Sequence, residues 1–205
     1  MNYAIKKIDD ALQPPLTDKL WESVEKAPIL FPWTDQYPLA PASFAQLCYN
    51  QKGIFIKHTT NEIPIASYTN LNDPVYLESC AEFFLQPNPS RDENYINFEI
   101  NALGTPLIGY GPNRTRNQLT VNTACFHIQT EKMQNGWTLQ WHIPFSFLLN
   151  YFQEIEPVLK GNLQKCCELP GKEHFGCWSP IGTEKPDFHQ PSYFGQFTLE
   201  ETSPL

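Results

Sequence analysis

Apolar and polar residues alternate with a period of two through most of this chain, in short runs that single prolines or glycines cut off. Alternation of this kind sends successive side chains to opposite faces of a strand, and the interruptions leave no room for a long helix. Nineteen prolines and ten glycines are scattered through 205 residues without a repeat or a low-complexity tract. The pattern predicts strands near 3–8, 43–49, 53–60, 80–86, 94–101, 105–110, 119–129, 136–143, 162–167 and 193–200. Two short helices are expected, one over 17–26 behind Thr17 or Asp18 as N-cap, the other over 145–152 after Pro144. Many short strands joined by Pro/Gly turns point to an all-β fold, an antiparallel β-sandwich or jelly roll, rather than βαβ units. The length suits one sizeable core, so residues 1–205 are expected to form a single domain.

The faces of these strands are unequal. In YINFEINALGT, Ile96, Phe98 and Ile100 form a core face, while Tyr95, Asn97, Glu99 and Asn101 form the other. In CAEFFLQ, Ala81, Phe83 and Leu85 share one face and Cys80, Glu82 and Phe84 the opposite one. In WTLQWHI, Trp137, Leu139, Trp141 and Ile143 are apolar, and Thr138, Gln140 and His142 oppose them. If these strands are neighbours, one sheet carries Glu82, Asn97, Glu99, Asn101, Gln140 and His142 together. Such a surface is either a wet outer face or a binding face rich in hydrogen-bond donors and acceptors.

Charge narrows the partners. Fourteen basic against twenty-two acidic residues give a net charge of -8, which argues against nucleic acid or an anionic membrane as the main partner. The segment MNYAIKKIDDALQPPL has no signal-peptide apolar region, and no stretch reaches the ~20 apolar residues of a membrane span, so cytoplasmic is the default expectation. The oligomeric state is not readable from the sequence. Six cysteines are too sparse for a disulfide scaffold in a chain of this size, so reduced thiols are expected. Cys166, Cys167, His174, Cys177 and His189 offer zinc-type ligands, but there is no CxxC and adjacent cysteines diverge on a strand, which favours buried, inert thiols. Haem ligation is disfavoured because Met1 and Met133 are the only methionines.

The ordered segments YLESCAEFFLQP, YINFEINALGTPLIGYG, WHIPFSFL, GNLQKC and KPDFHQPSYFGQFTLE resemble the family 9-like carbohydrate-binding modules, over about residues 21–200. The resemblance implies a DOMON-like β-sandwich that binds sugars without catalysis, as in the modules attached to xylanases. Those hold the reducing ends of glycans between two aromatic rings, with polar side chains fixing the hydroxyls and structural calcium nearby. On this resemblance Glu82 matches the family's acidic ligand, and Glu99 and Asn101 match the paired polar positions of the next strand. Tyr76 stands where the first aromatic belongs, in place of Trp, and Trp178 in HFGCWSPI is the candidate for the second. A position that carries Arg in the xylanase modules is Glu99 here.

The chemistry of the residues fits a mono- or oligosaccharide. Glu, Asn and Gln on a rigid strand can fix hydroxyls, and the C–H face of a pyranose packs on an aromatic ring. Asp187 and His189, at i and i+2 on an extended segment, share a face and could hold a loop, contact ligand, or act as acid and base. Arg114 and Arg116 in GPNRTRNQ could line the edge of the site, but a turn with solvated charges explains them better. Two competing classes stay open: an O-glycosyl hydrolase using two of Glu82, Glu99 and Asp187, and a structural or protein-interaction sandwich. No cofactor is expected for binding. The resemblance places calcium, if any, near Asp9 and Asp10, where carboxylates suit that ion.

Overall fold

The computed structural model describes residues 1–200; residues 201–205 of the expected domain lie outside the described residues. The strands are β1 (Asn2–Lys7), β2 (Ala27–Pro28), β3 (Ser43–Asn50), β4 (Gly53–Thr60), β5 (Cys80–Gln86), β6 (Tyr95–Asn101) and β7 (Pro106–Gly111). They continue as β8 (Asn117–Gln118), β9 (Gln129–Met133), β10 (Gly136–Pro144), β11 (Val158–Cys167), β12 (His174–Cys177) and β13 (Gly195–Leu199). Two single-turn helices, α1 (Asp18–Trp21) and α2 (Phe145–Leu148), complete an all-β chain. The strands form one continuous sheet in the order β8-β7-β6-β5-β11-β13-β1-β3-β4-β10-β9, with β12 beside β11 and β2 beside β3.

Strand β1 joins the halves of this sheet. It runs parallel to β13 through residues 2–5 and parallel to β3 through residues 6–7, whereas every other pairing is antiparallel among the described residues. The sheet curls so that both halves share a core: Phe83, Phe98 and Leu163 from one half and Leu47, Ile56 and Trp141 from the other belong to one buried cluster. These are the residues that alternation assigns inward. The outer faces are covered as well. Trp21, Val24 and Leu16 pack on Cys48 and Phe55, while Trp33, Val75, Ile181 and Phe188 pack over Cys80, Phe84, Tyr95 and Cys166.

Three expectations are corrected. The strand expected over 119–129 is instead a 3-10 turn, Thr123–Phe126, between β8 and β9. The Asn122 side chain accepts from the Ala124 amide at 3.0 Å, a local capping bond that competes with extended pairing. The helix from Thr17 stops at Trp21, where the Ser23 hydroxyl donates back to the Leu20 carbonyl and Pro28 follows closely. Strand β10 is not a neighbour of β5 and β6: it pairs with β4 and β9, so Gln140 and His142 sit in the other half, and Gln140 accepts from the Trp21 indole at 2.8 Å.

A buried ion pair ties the halves together. Lys165 faces inward with no exposure, and its Nζ lies 2.8 Å from Glu62 Oε1 and donates to the Cys166 carbonyl at 2.7 Å. The same Nζ is 2.8 Å from His174 Nε2, and Glu62 also accepts from the Trp137 indole at 3.1 Å. Nearby His58 stacks on Trp141 at 5.7 Å. Burial, and then the Lys165 charge, hold the His58 pKa down to about 3.

A histidine kept neutral in the fold binds its proton more readily when unfolded, with a pKa near 6.5. Its stabilising effect is therefore complete above that value and is lost as pH falls toward about 3. His58→Leu removes this term. Urea denaturation at pH 7 and pH 5 is expected to show the variant gaining about 2 kcal/mol on the wild type between the two, from ~1.4 kcal/mol per pH unit for one proton. An unchanged gap would mean that His58 is charged in the folded chain.

Candidate functional site

The register of the antiparallel ladder fixes the centre of the site. Glu82 on β5 lies directly opposite Glu99 on β6, and on the other side Glu82 faces Gln164 of β11. Residues opposite one another share a face of the sheet, so the two carboxylates project side by side. Each is only 2% exposed, which corrects the reading of a wet outer face. Loops close over this face. The 3-10 turn Val75–Leu77 brings Tyr76, the β7–β8 connection brings Arg114 and Arg116, β12 brings Phe175, and the segment after β12 brings Pro186, Asp187, Phe188 and His189. They enclose a cavity of about 590 Å³ that opens to solvent and has Glu82, Glu99 and Cys166 in its lining.

Of the seven residues expected at the site, Tyr76, Glu82, Glu99, Asp187 and His189 line this cavity. Asn101 and Trp178 do not. Asn101 is fully buried; its Oδ1 accepts from the Leu103 and Thr105 amides at 3.0 Å and its Nδ2 donates to the Tyr68 carbonyl at 2.9 Å. It holds the β6–β7 turn. Trp178 belongs to the inner core, 4.6 Å from the Phe197 ring and edge-on to Tyr3 at 6.3 Å. Its ring fills the space beside Gly195, where an added Cβ would lie 2.4 Å from the indole, so it cannot border the cavity.

Electrostatics differentiate the two glutamates. Two adjacent buried carboxyls cannot both ionise cheaply. Burial, then the Glu99 charge, push Glu82 well above the usual carboxyl range. Glu99 is also raised by burial, to about 7, with the Arg116 guanidinium working against the rise. Arg116 Nη2 donates to Glu99 Oε1 at 2.6 Å and the Asn97 amide donates to the same oxygen at 2.9 Å. The guanidinium reaches it across Gly109: a Cβ there would lie 2.6 Å from Arg116 Nε and 2.5 Å from Asn97 Oδ1. Only glycine leaves this path open.

The outer rim is a second, more exposed set. Arg114 donates to Asp187 Oδ1 at 2.6 Å, and Gln190 donates to Asp187 Oδ2 at 2.7 Å. Burial raises the Asp187 pKa, but these bonds outweigh it and leave the group below the usual carboxylate range. His189 Nδ1 is 2.6 Å from the Tyr95 hydroxyl, and its ring lies 4.8 Å from Phe84. Burial, then the Arg116 and Arg114 charges, hold it down to about 3, so the imidazole is neutral. The cavity thus offers guanidinium donors beside the carboxyl groups of Glu82, Glu99 and Asp187, against the rings of Tyr76, Phe175 and Phe188.

The family model for carbohydrate-binding family 9 matches residues 18–199. The chain belongs to this family. Among solved structures, it is similar to a Bacteroides uniformis ATCC 8492 protein whose carbohydrate-binding role is a provisional assignment. That likeness has a TM-score of 0.83 and 26% identity over 97% of this chain and 99% of the other. A family 9 module from Caldicellulosiruptor kristjanssonii in complex with cellotriose matches with TM-score 0.69 and 13% identity over 99% of this chain and 95% of that one. The glucose complex from the same organism matches with TM-score 0.68, 13% identity and coverage of 99% and 97%. No curated protein sequence matches the chain.

For this family 9 chain, sequence reasoning missed Phe175 and Phe188 as cavity residues and set Arg114 and Arg116, which also line it, behind a solvated turn. The β7–β8 connection supplies Arg116 beside the strand residue Glu99. Arg116→Met is expected to cost about 3 kcal/mol in chemical denaturation at pH 7, because it leaves Glu99 buried without its cation. Adding Glu99→Gln should recover a large part of that loss. A strictly additive double variant would show that the two side chains do not act as a pair.

Proposed function

We propose that this chain is a single-domain β-sandwich that binds a mono- or oligosaccharide, without catalysis, in the cavity above β5 and β6. The observation that carries the reading is the buried Glu82–Glu99 pair at the floor of a 590 Å³ opening walled by Tyr76, Phe175 and Phe188. Its volume falls within the ~300–1,000 Å³ of small-molecule sites. A sugar needs donors and acceptors close together plus an apolar wall, and the Arg116 guanidinium beside the two glutamates supplies both kinds of polar group. Family membership and the cellotriose and glucose complexes of its relatives support the same ligand class. Glu82, Glu99, Arg116, Asp187, His189 and Tyr76 are the proposed contacts.

Binding in this scheme needs no cofactor. Calcium at Asp9 and Asp10 gains little support, since Asp9 accepts from the Ala11 amide at 2.8 Å and Asp10 from the Gln51 amide at 2.9 Å, both as turn caps. Hydrolysis is not part of the proposal, because Glu99 of the carboxyl pair is committed to Arg116 and Asn97.

Titration calorimetry against glucose, xylose, cellobiose and cellotriose tests the reading. Saturable binding is expected for at least one, with a change in tryptophan fluorescence, because the Trp33 ring packs on Phe188 of the cavity wall at 6.2 Å. Tyr76→Ala should weaken binding about tenfold, ~1.4 kcal/mol, through loss of ring packing. No reducing sugar should be released from the bound oligosaccharide. A flat titration across a broad saccharide panel would remove the function.

A further inference from the structure

Four ligand-capable side chains sit on a two-by-two patch of the antiparallel ladder beneath the cavity. Cys80 of β5 lies opposite Cys166 of β11, and one step along the same face Glu82 lies opposite Gln164. The sulfurs of Cys80 and Cys166 and a carboxylate oxygen of Glu82 all lie within 4.8 Å of one another, and Cys166 Sγ is 3.0 Å from Glu82 Oε1. Ligand atoms at zinc–sulfur and zinc–oxygen bond lengths stand about 3.5–3.8 Å apart around a tetrahedron, so small rotamer shifts bring the three onto a common ion. Gln164 has no exposure, and neither its Oε1 nor its Nε2 has a hydrogen-bond partner among the described residues. Leaving both ends of a buried amide unpaired is costly, and nothing in the core around it answers them.

We propose that Cys80, Cys166 and Glu82, with the Gln164 carbonyl oxygen as fourth ligand, form a site for a soft divalent cation of the zinc class. Two thiolates and a harder oxygen pair select zinc or its thiophilic analogues over calcium and magnesium, which take oxygen ligands alone. Two thiolates, a carboxylate and a divalent ion sum to one negative charge. Arg116, paired with Glu99, and Lys165, paired with Glu62 on the inner face, are the cations whose charge reaches this patch. Entry is open because Glu82 and Cys166 line the cavity. The ligand set that the sequence spacing disfavours, Cys166, Cys167, His174 and Cys177, is not the one assembled: β12 sets His174 opposite Cys167 and Cys177 opposite Gln164, and Cys166 finds its partner in Cys80 instead. The site does not rest on the sugar reading, although the two share Glu82, so a bound cation changes what that residue can offer a ligand.

The test uses the full chain, stripped with a chelator, reduced, and titrated with Co²⁺ in the absence of saccharide. One equivalent should give a thiolate-to-cobalt charge-transfer band in the near ultraviolet and the intense visible bands of tetrahedral cobalt, both displaced by Zn²⁺. Cys80→Ser and Cys166→Ser should each abolish the band, and Cys125→Ser, outside the patch, should keep it. Gln164→Leu should lower zinc affinity at least about tenfold. No charge-transfer band, or one that survives Cys80→Ser and Cys166→Ser, overturns the site. If the serine variants do not fold, X-ray absorption of the zinc-loaded wild type decides: two sulfur scatterers support the site and a shell of only light atoms refutes it. Saccharide titrations run in chelator keep the two readings separable.

Discussion

The β5–β6–β11 part of the sheet is buried on both faces, and that constraint governs the site. An antiparallel sheet commonly leaves one face to water, where a row of glutamates costs little. Here loops around Trp33, Val75, Ile181 and Phe188 cover that face, so every polar side chain on it must be answered from within the protein. Glu99 is answered by Arg116 and Asn97, and Glu82 is answered by the Cys166 thiol and by a pKa that burial pushes up. The depth and polarity of the cavity follow from this arrangement rather than from any one residue.

Alternation revealed the inner core and the site floor for the same reason. The period of two is a property of the extended backbone, so Phe83 and Phe98 fall inward and Glu82 and Glu99 outward whatever the strands pair with. Neighbourhood is another matter. Strand β10 carries the same kind of asymmetry but belongs to the other half, and nothing in its composition says so. The 3-10 turn at Thr123–Phe126 escaped because its apolar Phe126 fits either a strand or a core-facing turn, and only the Asn122 cap separates the two.

The misjudged residues have different causes. Arg116 looks like a solvated turn residue because its partner, Glu99, is reached over a neighbouring strand and through the gap at Gly109. A glycine in a strand interior is the one sequence signal that pointed there. Trp178 misleads in the opposite sense. It stands on the stretch that leads to the cavity wall, yet its ring drops into the space that Gly195 leaves and joins Tyr3 and Phe197. Large aromatics next to a site are often parts of the wall's foundation.

Strand β1 has a kinetic corollary. Its parallel partner through residues 2–5 is β13, so nearly the whole sequence separates the two members of that ladder. Pairings so distant close large loops and slow the search for the native arrangement. During vectorial synthesis β1 leaves the ribosome before β13, and β13, which sits between it and β11, emerges only later. Until then the edges of β1 and β11 that β13 will join stand open, which makes them the places where a nascent chain of this topology is most exposed to wrong pairing.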